Sequence, residues 1–240
     1  MTTTEFSNGF DSLASSFRRF KDYDKREMLD SIEFDEYEKS LFLTLSQEEI
    51  VVGLYSGRNS FGESFETTEE MRRYLDILVK SKRYSTDSDS IPGEGVSEKS
   101  VFFKLPDDKA FIIMEQLTFS DESLGCYNGT TVNVQPTTHD EYMKIRNNPF
   151  RGSTERKALR LDSGNGVVEI ISKYSFDSYF LRYLAVPEPI ILENLPEGVT
   201  IKGQSEEHGC LLPEQLHKMI LQRAVQMALA SKGLTLNNNS

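Results

Sequence analysis

The sequence predicts an α+β fold, in which N-terminal helices and a long C-terminal helix pack with a central, mainly antiparallel β-sheet domain. Three observations support this prediction. Apolar residues recur at helical spacing between residues 35 and 82. The same spacing returns between residues 213 and 232. Between these stretches lie short runs of β-branched and aromatic residues separated by Gly, Pro, Asn and Asp, which is typical of strands.

The N-terminal part is expected to comprise a partly mobile segment, residues 1–30, and a helical region, residues 31–82. A short helix is predicted around Asp11–Phe20. A further helix begins near Asp35 and ends at Gly57. Its predicted core face comprises Tyr37, Leu41, Leu45, Ile50, Val51 and Leu54.

A second helix is predicted over "TTEEMRRYLDILVKSK", with Thr67 or Thr68 as N-cap and acidic residues in the first turn. Its apolar stripe comprises Met71, Leu75, Leu78 and Val79. Residues 83–100 follow as a linker or long loop, because they are rich in Ser, Asp and Gly and poor in apolar residues.

Residues 101–205 are predicted to form the β-rich domain, as a sandwich or a barrel. The candidate strands are "SVFFKL", "KAFIIMEQLTF", "TTVNVQPTT", "KALRLDS", "GVVEIISKY", "YFLRYLAV" and "PIILENL". "DSGNG", residues 162–166, is typical of a hairpin turn. "HDEYMKIR" is predicted to add one or two helical turns to this domain.

Residues 206–240 are predicted to form the C-terminal helix and tail. Pro213 occupies the first helical position and Gly233 marks the stop. The apolar stripe comprises Leu216, Met219, Ile220, Ala224, Met227, Ala228 and Ser231. Its small residues would allow close approach of another helix, so we expect the terminal helices to pack together.

The composition and charge of the chain argue against several classes of function. The formal net charge is -11, and residues 1–150 hold 28 acidic and 17 basic residues while residues 151–240 hold 10 of each. DNA affinity rests on neutralising phosphates with Lys and Arg, so direct duplex binding is disfavoured.

The two cysteines have no CxxC spacing, which favours free thiols in a reducing compartment. No secretory signal or 20-residue apolar span is visible, so we expect a protein made in a cytoplasm, with no membrane partner.

The sequence contains few candidates for catalysis. It has no phosphate-binding loop, GxSxG elbow or HExxH motif, and only three histidines. Cys210 with His217 could form a nucleophile pair, but we expect Cys210 to pack as a small hydrophobe and His217 to lie on the polar side of its helix. We therefore predict no catalytic, cofactor or metal site.

The stretch "THDEYMKIRNNPFRG", residues 138–152, is interpreted as a docking loop. Thr138 or Asp140 can cap a short helix whose Tyr142 and Ile145 face inward. Phe150 is expected to anchor the chain after "NNP", and Arg151 to remain free for an acidic partner. The candidate docking residues are His139, Asp140, Tyr142, Asn148, Phe150 and Arg151.

Four segments resemble the neck and tail ring proteins of crAss-like bacteriophages, a family of short-tailed phages. They are "EFDEYEKSLFLTLSQEEIVVGLYSGRNSFGESFETTEEMRRYL" (33–75), "VQPTTHDEYMKIRNNPFRG" (134–152), "ALRLDSGNGVVEIISKYSFDSYFLRYLAVPEPIIL" (158–192) and "GCLLPEQLHKMILQRAVQMALASKG" (209–233). Together they cover about half of the chain.

The resemblance implies a structural virion protein without catalytic activity, assembled in the host bacterial cytoplasm. Copies would form a closed ring, twelvefold, in the portal–tail neck, as an adaptor between the portal protein and other neck and tail proteins. DNA would pass through without specific binding. The alternatives are a virion cargo or scaffolding protein, and a small cytoplasmic hydrolase using His139, Asp140 and Glu141, or Cys210 with His217.

Overall fold

The computed structural model describes residues 1–21, 33–59, 61–97, 99–148 and 150–233. Residues 22–30 of the predicted mobile segment and residues 234–240 of the predicted tail lie outside the described residues. The chain divides into two compact units. The helical unit comprises Met1–Leu78 and Pro187–Ser240, and the sheet unit comprises Val79–Val186.

The five helices of the described chain are α1 (Thr3–Lys21), α2 (Glu36–Ser56), α3 (Glu69–Leu75), α4 (His139–Ile145) and α5 (Glu214–Ser231). None of these helices has the length and apolar character needed to span a membrane.

Helix α1 begins eight residues before the predicted start at Asp11. The reason is a reciprocal cap, since the backbone N–H of Glu5 donates to Thr2 Oγ1 (3.2 Å) and the N–H of Thr2 donates to the Glu5 carboxylate (2.8 Å). The side chains of Phe6 and Phe10 are fully buried one turn apart. The terminal helices pack together as predicted, with the Phe6 ring 5.3 Å from the ring of His217.

Helix α2 ends at a left-handed glycine, as its sequence predicts, and the structure shows a capping box at its start. Asp35 accepts from the N–H of Glu38, whose carboxylate accepts from the N–H of Asp35. Gly57 terminates the helix with φ 78°. The predicted core face is confirmed at Val51 and Leu54, which are buried, but it is wrong at Tyr37 and Leu45, which are 37% and 42% exposed.

The buried face of α2 instead contains polar residues that bind the extended segment 188–192. Ser40 Oγ accepts from the N–H of Leu192 (3.0 Å). Thr44 Oγ1 both donates to the carbonyl oxygen of Ile190 (3.2 Å) and accepts from its N–H (3.1 Å). Gln47 donates to the carbonyl oxygen of residue 188 (2.8 Å). The segment "PIILENL", predicted as a strand of the sheet, therefore finds hydrogen-bond partners on a helix, and Ile191 pairs with His208 in an isolated β-bridge.

Helix α5 follows Pro213, which occupies the N-cap position, and its end is marked by Gly233 with φ 78°. Ala224 and Ala228 are fully buried. Ser46 of α2 donates to the carbonyl oxygen of Ile220 in α5 (2.7 Å), which ties the two helices together.

The sheet unit contains one eight-stranded sheet. Its strands are β1 (Val79–Ser85), β2 (Ser90–Ile91), β3 (Ser100–Lys104), β4 (Lys109–Phe119), β5 (Thr131–Pro136), β6 (Lys157–Gly164), β7 (Val167–Ile171) and β8 (Phe176–Ala185). Their spatial order is β1-β8-β4-β5-β6-β7-β3-β2, and only β5 and β6 pair in parallel. The predicted α+β class and antiparallel sheet are confirmed.

The sheet curls around its own apolar face. Tyr84 on β1 and Phe103 on β3 lie near opposite ends of the strand order, yet their ring centroids are 5.4 Å apart. Tyr179 on β8 stacks against both rings, at 5.6 and 5.3 Å. The core of this unit therefore lies inside the curl.

Two local predictions in this region have different outcomes. The "DSGNG" turn joins β6 to β7, with Asn165 and Gly166 at φ 51° and 71°, as a hairpin turn requires. The helix predicted over "TTEEMRRYLDILVKSK" ends at Leu75, and Val79 begins strand β1 instead of continuing the helix. Pairing with β8 along all seven residues of β1 overrides the helical periodicity.

Candidate docking site

Helix α4 starts and packs as the sequence predicts. Thr138 is the N-cap, and its hydroxyl accepts from the N–H of Glu141 (3.2 Å). Tyr142 and Ile145 are each 6% exposed, in a cluster with Leu159, Leu161 and Ile171 on β6 and β7. Tyr142 therefore holds the helix on the sheet and offers little surface to a partner.

The turn that follows α4 is tied together by Asn148. Its side-chain oxygen accepts from the N–H groups of Phe150 (2.9 Å) and Arg151 (3.2 Å), and its carbonyl oxygen accepts from the N–H of Gly152 (2.9 Å). A Cβ at Gly152 would lie 2.9 Å from that same carbonyl oxygen, so glycine permits the close approach. The intervening Pro149 lies outside the described residues.

This turn presents Phe150 to solvent. The side chain is 86% exposed, more than any other large hydrophobic residue in the described chain. The expectation that Phe150 anchors its own chain is therefore wrong. The expectation for Arg151 also needs correction, because its guanidinium lies 3.3 Å from the Glu141 carboxylate in an exposed ion pair. An exposed aromatic side chain on a hydrogen-bonded turn is suited to insertion into another protein.

His139 and Asp140 lie at the start of α4 and are both exposed. His139 Nε2 lies 3.2 Å from the backbone oxygen of Asp162, which orients the ring toward the end of β6. The hydrogen-bond partner of His139 is a backbone carbonyl and not a nucleophilic side chain. His139 is therefore not placed as the base of a nucleophile–base pair.

Cys210 and His217, the alternative catalytic pair, each have structural partners. The thiol of Cys210 donates to Gln47 Oε1 (3.2 Å), and burial raises its pKa to about 11. The raised pKa leaves little thiolate at neutral pH. His217 is 4% exposed, so its predicted place on the polar side of α5 is wrong. Its Nε2 lies 2.8 Å from the carbonyl oxygen of Leu212, and burial lowers its pKa.

The third histidine, His208, lies 2.8 Å from the Glu188 carboxylate and 3.2 Å from the carbonyl oxygen of Pro189. Within the described ranges, no group of three or more His, Cys, Asp or Glu side chains is placed to hold a metal ion.

A buried ionic cluster lies inside the sheet and was not anticipated. Arg160 on β6 lies 3.1 Å from the carboxylate of Glu115 on β4, and the Tyr179 hydroxyl donates to the same carboxylate. Burial raises the pKa of Glu115, although Arg160 and Tyr179 act in the opposite direction. Burial and the neighbouring Glu115 raise the pKa of Tyr179. Because Glu115 and Arg160 are only 6% and 8% exposed, the cluster is inaccessible to a substrate and serves the fold.

The exposed side chains of this site are of the kind that contact other proteins. The chain belongs to the family of phage tail ring protein 3/4, whose family model matches residues 1–240.

Two relatives come from Bacteroides phage crAss001. The chain is 44% identical to "Ring protein 3" over 234 residues, covering 97% of this chain and 96% of the relative. It is 29% identical to "Ring protein 4/5" over 240 residues, covering 96% of this chain and 93% of the relative. These matches confirm the resemblance to ring proteins of crAss-like phages. The chain is a structural ring protein of the phage virion.

Proposed function

We propose that copies of this chain form a closed ring of twelve in the portal–tail neck of a short-tailed phage. The ring acts as an adaptor between the portal protein and tail components, and it performs no catalysis. The observation that carries this proposal is the full-length match to ring proteins, at 44% identity over 234 residues for one relative. A ring of identical subunits closes through head-to-tail contacts, which require two different surfaces on every copy.

The docking site supplies one such surface. Phe150, with His139 and Asp140 beside the start of α4, contacts the partner protein. Asn148 and the buried Tyr142 hold that surface in place, and Arg151 orients Glu141 at its edge. Preorganisation matters because a turn whose backbone is already held by hydrogen bonds loses less entropy on binding.

The acidic composition is compatible with a passage for DNA. With 38 acidic and 27 basic residues, the chain offers few uncompensated cations to phosphates. We propose that DNA passes through the ring without specific binding, because weak attraction allows sliding.

The assembly is tested by two measurements on wild-type protein. Native mass spectrometry across a concentration series is expected to detect a twelve-subunit species. A side-chain-resolution reconstruction of the virion neck is expected to place the chain in one symmetric layer. A monomer at every concentration, together with absence from the neck, would contradict the proposal, and location inside the capsid would identify a cargo or scaffolding protein.

The docking site is tested by Phe150→Ser. If Phe150 is an interface hot spot, its truncation weakens each contact by about 2 kcal/mol, or about 30-fold in dissociation constant. The matched control is Phe61→Ser, because Phe61 is also exposed (48%) and its N–H also donates to an asparagine side chain two residues earlier (2.9 Å). Equal assembly of Phe150→Ser and wild type would remove Phe150 from the interface.

A further inference from the structure

The outer face of the sheet over strands β1, β8, β4 and β5 carries partly or fully exposed side chains. Along β8, Tyr179 and Leu181 point into the core, so the alternating residues Ser178, Phe180 and Arg182 point outward. Arg83 on β1 lies opposite Phe180. Strand β4 pairs with the other edge of β8, so its outward-facing residues lie beside Ser178, Phe180 and Arg182. The outward-facing residues of β5 lie beside those of β4 and extend the same face.

This face has an unusual composition for so acidic a chain. From Ser178 to Arg182, and at the positions paired with them on the neighbouring strands, no described outward-facing residue is acidic. The face contains Ser, Thr, Asn and Gln, with Gln116 and Thr118 on β4 and Asn133 on β5 as examples. Its positive charge comes from two arginines.

Both arginines are oriented by the same aromatic ring. The guanidinium carbon of Arg83 lies 5.4 Å from the Phe180 ring centroid, and that of Arg182 lies 5.9 Å from it. Arg83 also donates to Ser178 Oγ (3.3 Å). Both side chains are exposed, and neither forms an ion pair with a carboxylate of the described residues. The two guanidinium groups are therefore held in place and available to an acidic partner.

We infer that this face, centred on Arg83, Phe180 and Arg182, binds the acidic helical unit of a second copy of the chain. The inference rests on the proposed ring, in which this face and the helical unit of the neighbouring copy form a contact in addition to that of the docking site. The charge distribution supports this partner, because the helical unit contains 23 acidic and 13 basic residues whereas the sheet unit contains 15 and 14. Opposite potentials on two surfaces steer encounter and fix register.

A protein partner fits this face better than nucleic acid does. Binding to a phosphate backbone requires many Lys and Arg side chains, and this face has only two arginines among uncharged polar residues. Arginine and aromatic residues are enriched at protein interfaces, where other charged residues are depleted.

The first experiment reverses the charge with Arg83→Glu/Arg182→Glu. The matched control is Lys99→Glu/Lys173→Glu, which makes the same charge change at exposed positions beside β3 and β7, on the other half of the sheet. Native mass spectrometry is expected to show at least about tenfold weaker assembly for the arginine variant and near wild-type assembly for the control. Circular dichroism checks that both variants fold.

The second experiment identifies the partner surface. Arg83→Lys/Arg182→Lys retains the charges and supplies amines that a carbodiimide can couple to carboxylates. A mixture of ordinary and ¹⁵N-labelled protein distinguishes links between copies from links within one. We expect intermolecular links from positions 83 and 182 to acids of Met1–Leu78 or Pro187–Ser240.

The outcomes separate this inference from the proposed function. If wild type forms no ring, the proposed function fails. If wild type forms rings and Arg83→Glu/Arg182→Glu forms them equally well, or if the cross-links reach only the sheet unit, this inference is overturned while the ring stands. Binding of a labelled DNA duplex by wild type that is lost in the arginine variant, with rings intact, would also overturn it, because the face would then contact DNA.

Discussion

Replacing Arg160 by Met tests the buried ionic cluster inside the sheet. The Arg160 and Glu115 side chains are 10% and 3% exposed, and their charged atoms are 3.1 Å apart. Met fills a similar volume but carries no charge. In Arg160→Met, the carboxylate of Glu115 loses its cation and keeps only the Tyr179 hydroxyl as a partner.

The expected loss is about 3–5 kcal/mol of unfolding free energy, the range measured when one partner of a buried ion pair is removed. The double variant Arg160→Met/Glu115→Leu is expected to recover part of this loss, because the buried Tyr179 hydroxyl then lacks its acceptor. Arg160 Nε is itself buried without a hydrogen-bond partner among the described residues, so the intact pair is imperfectly satisfied. Removing both charges also removes both desolvation penalties.

The loss in Arg160→Met should depend on pH. Burial raises the folded-state pKa of Glu115, so the folded state binds more protons than the unfolded state, and stability falls as pH rises through this pKa. Without Arg160 the pKa rises further. The difference in unfolding free energy between variant and wild type should therefore be smaller near pH 5 than near pH 8.

Urea titration followed by circular dichroism and tyrosine fluorescence measures these free energies, since the chain has no tryptophan. A loss below about 1 kcal/mol for Arg160→Met at neutral pH would refute the reasoning, because it would mean that Glu115 carries no charge that needs a partner. A double variant as unstable as the single one would refute the claim that the two charges act as a pair.

Three further predictions concern buried polar groups and the docking turn. Thr44→Val retains the side-chain volume but leaves the N–H of Ile190 unpaired, so unfolding free energy should fall by about 1–3 kcal/mol in urea titration. Cys210, with its pKa raised to about 11, should resist a maleimide at neutral pH while the exposed Cys126 reacts, giving one label per native chain by intact mass. Gly152→Ala would place a Cβ 2.9 Å from a backbone oxygen of the docking turn and should reduce ring assembly in native mass spectrometry.

Each of these predictions has a control. Thr44→Ser keeps the hydroxyl, so a loss equal to that of Thr44→Val would assign the effect to packing. Denatured protein should take two labels, and rapid labelling of native Cys210 would contradict its raised pKa. Gly209→Ala should assemble normally, because a Cβ there meets nothing within 4 Å. Full assembly of Gly152→Ala would mean that the turn tolerates distortion.

Features encoded by short stretches of chain were predictable. The Thr138 cap of α4, the Gly57 and Gly233 helix ends and the "DSGNG" hairpin follow the sequence, because each depends on a side chain or φ preference within a few residues. The same holds for the existence of α5, although its buried face includes Leu221, Val225 and Leu229, which the predicted stripe omits. The turn after α4 was predictable for the same reason, because Asn148 forms it by hydrogen bonds to the residues that directly follow.

Features that depend on distant partners were not predictable. Val79 continues a helical stripe in sequence, but pairing with residue 184 makes it a strand. Thr44 interrupts the apolar pattern of α2, yet the segment around Ile190, 146 residues away, gives it a buried role. The periodicity of α5 alone places His217 on the surface, but in the folded chain Phe6 of α1 packs against it.

By itself, the sequence determined the α+β class, the absence of recognisable catalytic motifs and the membership of a ring-protein family, because these are properties of composition, periodicity and whole-segment likeness. Only the tertiary structure decided which side of each element is buried. In the folded chain, polar side chains lie on the buried face of α2, and an ion pair is buried in the core of the curled sheet. Phe150 and the Arg83–Phe180–Arg182 face lie at the surface. The physical reason is that burial of a residue depends on which other parts of the chain supply its hydrogen bonds and contacts, and local sequence does not contain that information.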